Sequence, residues 1–161
     1  MKTKIFFSGL MAATLLTTAC SDFLTEDPKG QLVPSSFFVS QDALDAGVNA
    51  LYEKVNQLQS WTNPNYPQWQ GDDITANPGS NKQACAELDA FSSTNNNKGV
   101  TAAWNLNYTV IKAANLLIEN AASTPVAEEE VNIALGQAHY WRAYAYYYLV
   151  RIFGPLPLRP S

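Results

Sequence analysis

One run of aromatic residues constrains the fold of this chain more than any other feature. From residue 139 to residue 158 the sequence reads HYWRAYAYYYLVRIFGPLPL, and six of the nine residues from Tyr140 to Tyr148 are aromatic. On a helix these residues, with Leu149 and Phe153, cover most of the circumference, and a helix that is apolar nearly all round is usually buried on several sides. The run therefore predicts a central helix of a helical fold. The alternative is an aromatic surface that grips a ligand.

For three aromatic residues of this helix, the sequence predicts a position in the core. Trp141, Tyr144 and Tyr148 lie in neighbouring rows of the helical wheel, and small residues between the rings allow another helix to approach closely. We predict that these three side chains are core residues. We also expect their rows to face a second helix around Tyr108 and Ile111.

The same helix is expected to begin at about Pro125 and to end at Gly154, where a left-handed residue and the prolines that follow stop it. Buried tyrosine hydroxyls need hydrogen-bond partners, and Arg142 or Asn115 can supply them. We interpret Arg142 as a buried structural cation that bonds helix ends and not as a catalytic group. His139 is expected at the helix surface or in packing, because a single histidine cannot build a metal site without Cys or His partners.

Two earlier stretches also carry the periodicity of amphipathic helices. Apolar residues recur at spacings of four and three over 41–59, where Ser40 is placed to cap the helix and Asp42 suits its positive end. The same spacing returns over 100–123. With no strand pattern, the sequence predicts an all-α fold, a helical hairpin with tetratricopeptide-like packing and long irregular loops. The longest loop is expected over 60–99, where Asn, Pro and Gly replace the periodicity. A loop of this length is usually functional or disordered, and its aromatic residues argue against simple disorder.

The N-terminus has the features of a targeting segment. Two lysines precede an apolar run over 5–19, which is too short for a stable membrane anchor. Ala19 directly precedes Cys20, as in a lipoprotein signal that is cleaved before a cysteine and then acylated on it. Such signals usually carry Leu three positions before the cysteine, where this chain has Thr17. The alternatives are a plain secretory signal that is cut near Ala19 and a transmembrane helix, although the apolar run is short for a membrane span.

These observations predict three parts of the chain. Residues 1–19 are expected to be a signal peptide, and residues 20–40 a lipidated cysteine with an extended tether that Phe37 and Phe38 anchor to the fold. Residues 41–161 are expected to form the helical domain, which we predict to be incomplete at its C-terminus.

Charge and chemistry exclude several classes of function. Without the leader, eight basic residues face fourteen acidic ones, a net charge of −6, so we expect no nucleic-acid partner. If Cys20 carries a lipid, Cys85 has no disulfide partner in the chain, and the domain depends on packing. We find no motif for a metal, a phosphate or a nucleophile, and predict neither a cofactor nor an enzyme. Asp72 and Asp73 are neighbours that point apart, whereas a glycosidase needs two carboxylates that face each other.

The aromatic helix resembles the signature helix of the SusD/RagB family of nutrient-uptake lipoproteins, in which an Arg-Ala-aromatic run leads to Leu-Val-Arg, an aromatic residue, Gly and Pro-Leu. The residues that fit this pattern are Arg142, Ala143, Tyr144, Leu149, Val150, Arg151, Phe153, Gly154, Pro157 and Leu158. An upstream block resembles the family at Trp104, Tyr108, Ile111, Ala114, Asn115 and Ile118, and so does the Cys20 region with SDFLTEDP. Because family members are several times longer, the resemblance implies that this sequence covers only their N-terminal part.

The resemblance implies an outer-membrane lipoprotein at the cell surface that captures oligosaccharides and works with a SusC-like TonB-dependent transporter. Aromatic rings stack on sugar faces, and amides and carboxylates bond sugar hydroxyls. The candidate ligand-binding residues all lie in the long loop and are Trp61, Tyr66, Trp69, Asp72 and Asp73. The alternative for these residues is structural, with the tryptophans packing the loop on the helices and the aspartates capping a turn. The alternatives for the whole chain are a helical-repeat scaffold that binds a partner protein and a non-functional truncated fragment.

Overall fold

The computed structural model of the chain describes residues 34–58, 68–77 and 82–160. The described part is helical and contains no strand, which confirms the all-α prediction. Its elements in chain order are α1 (Pro34–Phe37), α2 (Gln41–Leu58), a 3-10 turn (Gln68–Gln70), α3 (Gln83–Asp89), α4 (Lys98–Ala121) and α5 (Glu128–Phe153).

The first long helix, α2, follows the sequence prediction to within one residue. Its apolar face is buried, and the side-chain oxygen of Ser40 accepts a hydrogen bond from the Ala43 N–H at 3.3 Å. The aromatic anchors before it are also confirmed, since Phe38 is buried and its ring meets that of Phe37 edge to face at 5.1 Å. Gly47 is required for this contact, because a Cβ there would lie 2.7 Å from the Phe38 ring.

Helices α4 and α5 form an antiparallel hairpin, with α2 packed across both. The pairs Trp104–Phe153 and Tyr108–Tyr146 establish the antiparallel direction, at ring-centroid distances of 5.1 and 6.4 Å. The core lies where the three helices meet. It contains Leu44, Leu51, Val110, Ile111, Ala114, Leu117, Ala134, Ala138, Ala145 and Leu149.

Three boundaries differ from the sequence prediction. Helix α5 begins at Glu128, so Pro125 lies in the preceding turn and not in the helix. The segment predicted as one loop contains α3 and the 3-10 turn, and the predicted tether contains α1. These elements span seven residues or fewer, which is too short for a repeating apolar pattern to appear.

The predicted packing of the aromatic helix is wrong in its details. Trp141, Tyr144 and Tyr148 are half-buried, and the α5 residues that are fully buried are mostly alanines, with Leu149. Trp141 meets Tyr52 of α2 edge to face at 5.9 Å, whereas α4 is met by other aromatic side chains of α5. The physical reason is size, because small residues let helices approach closely and the large rings are displaced to the rim of the contact.

Candidate functional site

The structure describes three of the five candidate ligand-binding residues. Trp69 lies in the 3-10 turn, which packs against α3, and its side chain is half-buried. Its indole N–H is buried without a hydrogen-bond partner. Asp72 and Asp73 follow in a bend and are both exposed. Trp61 and Tyr66, like the lipidation candidate Cys20, lie outside the described residues.

The side chain of Asn97 joins α3 to the start of α4. The side-chain oxygen Oδ1 of Asn97 accepts hydrogen bonds from the Gly99 and Val100 N–H groups at 2.8 and 3.2 Å, and these bonds cap α4. The Asn97 amide group donates to the Ala84 carbonyl and to the Glu87 carboxylate, which are both on α3. A buried asparagine thus couples the start of α4 to α3. Sequence reasoning missed it, although Asn is a preferred residue at this position.

Helix α3 also holds the free cysteine of the described region. The Cys85 side chain is buried, and this burial raises the pKa of its thiol. A buried and protonated thiol is a poor nucleophile, because the reactive form is the thiolate. Cys85 therefore acts as a small apolar packing residue.

The segment after α5 folds back over the hairpin as an extended strap, residues 155–160. Gly154, whose φ is +75°, redirects the chain, and its N–H donates to the Val150 carbonyl. The Tyr108 hydroxyl donates to the Pro157 carbonyl at 2.9 Å. Two residues further on, the Arg159 N–H donates to the Tyr146 hydroxyl at 2.8 Å. The strap is thus held through its backbone at alternate residues.

Arg142 supports the strap indirectly, through Asn115. Its guanidinium donates to the side-chain oxygen of Asn115 at 3.0 Å, and the side-chain NH₂ group of Asn115 donates to the backbone carbonyl of Arg159 at 2.8 Å. The guanidinium also lies 3.2 Å from a ring nitrogen of the exposed His139. Arg142 is a structural cation, as predicted, but it orients a side-chain amide and does not bond a helix end.

A groove of about 550 Å³ opens between the strap and α4. Aromatic and aliphatic side chains form most of its lining, with charged groups among them. The lining residues are Trp104, Tyr108, Ile111, Lys112, Asn115, Leu116, Glu119, Pro157 and Arg159. An apolar cleft of this volume with a few polar groups is the usual form of a small-ligand site. The groove could not be predicted from the sequence, because backbone contacts that hold the strap leave no side-chain pattern.

Two absences hold for the described ranges 34–58, 68–77 and 82–160. No cluster of three or more His, Cys, Asp or Glu side chains that could hold a metal ion occurs there. No helix in these ranges is both long and apolar enough to span a membrane.

Comparison with known proteins gives matches over nearly the whole chain. Residues 22–161 match the model of a family described as "Starch-binding associating with outer membrane". SusD-like protein P2 of Formosa agariphila is 34% identical over 158 residues, which cover 97% of this chain and 30% of that protein. A SusD-like protein of Bacteroides ovatus is 32% identical over 181 aligned residues, which cover 98% of this chain and 29% of that protein. No solved structure gives a significant match.

The helical hairpin and these matches define the class, and the chain belongs to the SusD-like family. It spans about 30% of the length of the curated relatives that it matches. The family resemblance of the aromatic helix is thereby confirmed.

Proposed function

We propose that this chain forms part of a cell-surface lipoprotein that captures oligosaccharides for uptake through a SusC-like TonB-dependent transporter of the outer membrane. The observation that carries the proposal is the match of residues 22–161 to a family described as starch-binding. The capture step is binding alone, so no catalytic group is assigned. Cys20, the first residue after the proposed leader, is the proposed site of the lipid anchor.

Two surfaces have the chemistry for a sugar ligand. The first is the region of Trp69, Asp72 and Asp73, where a half-buried indole lies in the same short segment as two exposed carboxylates. The second is the groove beside the strap, which combines Trp104 and Tyr108 with charged and amide groups. We assign the ligand to the first surface, because its two exposed carboxylates can accept hydrogen bonds from sugar hydroxyls beside an aromatic ring.

The binding experiment titrates the full chain with starch-type oligosaccharides by calorimetry and compares Trp69→Ala with Phe91→Ala. Phe91 is an exposed aromatic residue after α3, so its loss removes a ring without touching the proposed surface. We expect Trp69→Ala to lower the affinity at least tenfold and Phe91→Ala to leave it unchanged. Equal affinities for all three proteins would contradict the assignment. If only a groove variant such as Glu119→Ala weakened binding, the ligand would belong to the groove instead.

The membrane and transporter parts need a separate test. A Cys20→Ser variant should leave the membrane fraction, and mass spectrometry of the natural chain should detect an acylated cysteine at position 20. A SusC-like transporter should co-purify with the anchored chain from outer membranes. A Cys20→Ser chain that stays with the membranes would rule out the proposed anchor.

A scaffold function remains the second candidate. The observation in its favour is the outward face of α5, where large apolar side chains are exposed. Partner binding and sugar capture do not exclude each other, since they use different parts of the molecule.

A further inference from the structure

The described residues assigned to the sugar lie in one segment, residues 68–77, which we call the Trp69 segment. Ala76, three residues after Asp73, belongs to no helix or strand, and its backbone N–H donates to a carboxylate oxygen of Asp89 at 2.9 Å. Asp89 is the last residue of α3. A side chain of α3 therefore holds the end of the Trp69 segment that follows the two candidate carboxylates.

This contact satisfies a backbone group that needs a partner. Ala76 is 5% exposed, and Asp89 is half-buried. A buried N–H group without an acceptor is costly, and a carboxylate is a stronger acceptor than a neutral oxygen. The bond joins residues thirteen positions apart, so it closes the chain between them into a loop. Its loss would release the end of the segment as well as one N–H group.

The other end of the Trp69 segment is fixed to the same helix. The 3-10 turn, Gln68–Gln70, packs against α3. Asp72 and Asp73 lie between this contact and the bond from Ala76. The segment therefore has two attachments to α3, and the exposed carboxylates are on the stretch between them.

Helix α3 is itself attached to the helical core. Its Leu88 and Cys85 side chains are buried, and the Ser92 N–H donates to the Glu87 carbonyl at 2.9 Å where the chain leaves the helix. The side chain of Asn97 joins α3 to the first turn of α4. A continuous series of contacts thus runs from α4 through α3 to the Trp69 segment.

The position of Asp89 within α3 favours the same interpretation. Aspartate has a low helix propensity, and a negative charge at the C-terminal end of a helix opposes the helix dipole. An aspartate at this position therefore gives α3 alone no stability. What its carboxylate does in the structure is accept the Ala76 N–H.

We propose that Asp89 is a positioning residue for sugar capture, which holds the Trp69 segment on α3 and so fixes Asp72 and Asp73 relative to the Trp69 ring. This role rests on the proposed function, since it takes these three residues as the sugar contacts. Asp89 acts through the segment and is not assigned a contact with the sugar. A segment that is already in its binding geometry loses less conformational entropy when a ligand binds, so the bond raises affinity.

The first experiment compares two substitutions of Asp89 by calorimetry with starch-type oligosaccharides. Asp89→Asn has nearly the same size and keeps an oxygen acceptor but loses the charge, whereas Asp89→Leu loses both. We expect Asp89→Leu to lower the affinity about fivefold or more and Asp89→Asn to stay within about twofold of the natural chain. Asp45→Leu is the matched control, because Asp45 is an exposed aspartate of α2, and it should bind like the natural chain.

Two results would overturn the positioning role. One is an Asp89→Leu chain that binds as tightly as the natural chain. The other is an Asp89→Asn chain that binds as weakly as Asp89→Leu, which would assign the effect to the charge and not to the hydrogen bond. Circular dichroism checks that all chains keep the same helix content at the temperature of the titration.

A second variant removes the same bond from its other side and leaves α3 unchanged, so it also decides the case if Asp89→Leu does not fold. Ala76→Pro has no N–H to donate and should weaken binding to a similar extent. Because both changes remove one bond, the chain with Asp89→Leu and Ala76→Pro together should bind no more weakly than the weaker single variant. Losses that add in full would show two separate effects and contradict the proposal.

Hydrogen exchange tests the bond without any sugar. Mass spectrometry of fragments that contain Ala76 should show its amide protected in the natural chain and in Asp89→Asn, and exchanging about tenfold faster or more in Asp89→Leu. Equal exchange in all three chains would overturn the proposal. A natural chain that binds no oligosaccharide would instead contradict the proposed function, and the exchange rates would still decide whether Asp89 holds the segment.

Discussion

Side-chain size suggests that the large residues of α5 are buried and the small ones exposed, but the two faces of the helix show the reverse. The face in the core consists of Ala134, Ala138 and Ala145 with Leu149, whereas the face opposite exposes Tyr140 and Tyr147. The hairpin has α4 and α5 in close contact, and small residues set that short distance. The large rings therefore lie beside the contact or outside it. A residue's volume indicates how much surface it can bury, but the distance between helix axes decides which residues are buried.

The strongest test of this comparison removes the one large side chain of the buried face. Leu149 is fully buried at the centre of the three-helix core. Leu149→Ala should lower the free energy of unfolding by about 2–5 kcal/mol, because it loses transfer energy and leaves a cavity. Denaturant titration measures this change. A loss below about 1 kcal/mol would mean that the core closes over the missing atoms, and that the buried face of α5 contributes little.

The second test enlarges a small residue on each face. Ala145 has no exposed surface, so Ala145→Leu should separate α4 and α5 or strain their side chains, at a cost of about 1–3 kcal/mol. Ala143→Leu makes the same change on the exposed face of α5 and should stay within about 0.5 kcal/mol of the natural chain. Both are measured by denaturant titration at low protein concentration. Equal losses would remove the distinction between the faces.

Much of this fold could be predicted from periodicity, and the exceptions have physical causes. The bounds of α2 follow from apolar residues that repeat through five turns, and Ser40 marks its start. Helix α3 has only seven residues, so its short apolar pattern resembles a loop. The partial exposure of Trp141 could not be predicted, because the wheel shows which residues share a face and not how far away the neighbouring helix lies.

Less of the candidate site than of the helices could be predicted from the sequence. The loop composition points to Trp69, Asp72 and Asp73 as polar and aromatic groups in one segment, and the structure adds how far each of them is buried. The strap was not predicted at all. Its contacts use backbone atoms of Pro157 and Arg159, and backbone atoms are the same for nearly every residue type.

The third test concerns a residue between the two faces. Trp141 is half-buried and touches Tyr52, Tyr140 and Tyr144 edge to face. Trp141→Ala should cost about 1–2 kcal/mol, below the 3–5 kcal/mol that a fully buried aromatic residue loses. Tyr52→Ala removes one side of the same contact and should cost less than Trp141→Ala. A loss near 4 kcal/mol for Trp141 would show that the rim is as well packed as the core.

The smallest effect is expected on the exposed face of α5. Tyr147 is 58% exposed, and the Arg151 guanidinium lies 5.3 Å from the centre of its ring. An exposed cation–π contact contributes about 0.5–1 kcal/mol, and alanine recovers a similar amount because its helix propensity exceeds that of tyrosine. Tyr147→Ala should therefore change the free energy of unfolding of the monomer by less than about 0.5 kcal/mol. The measurement is denaturant titration at a concentration where sedimentation shows monomer. A loss of 2 kcal/mol there would mean that Tyr147 packs against other residues of the protomer, and the comparison of a buried face with an exposed one would fail.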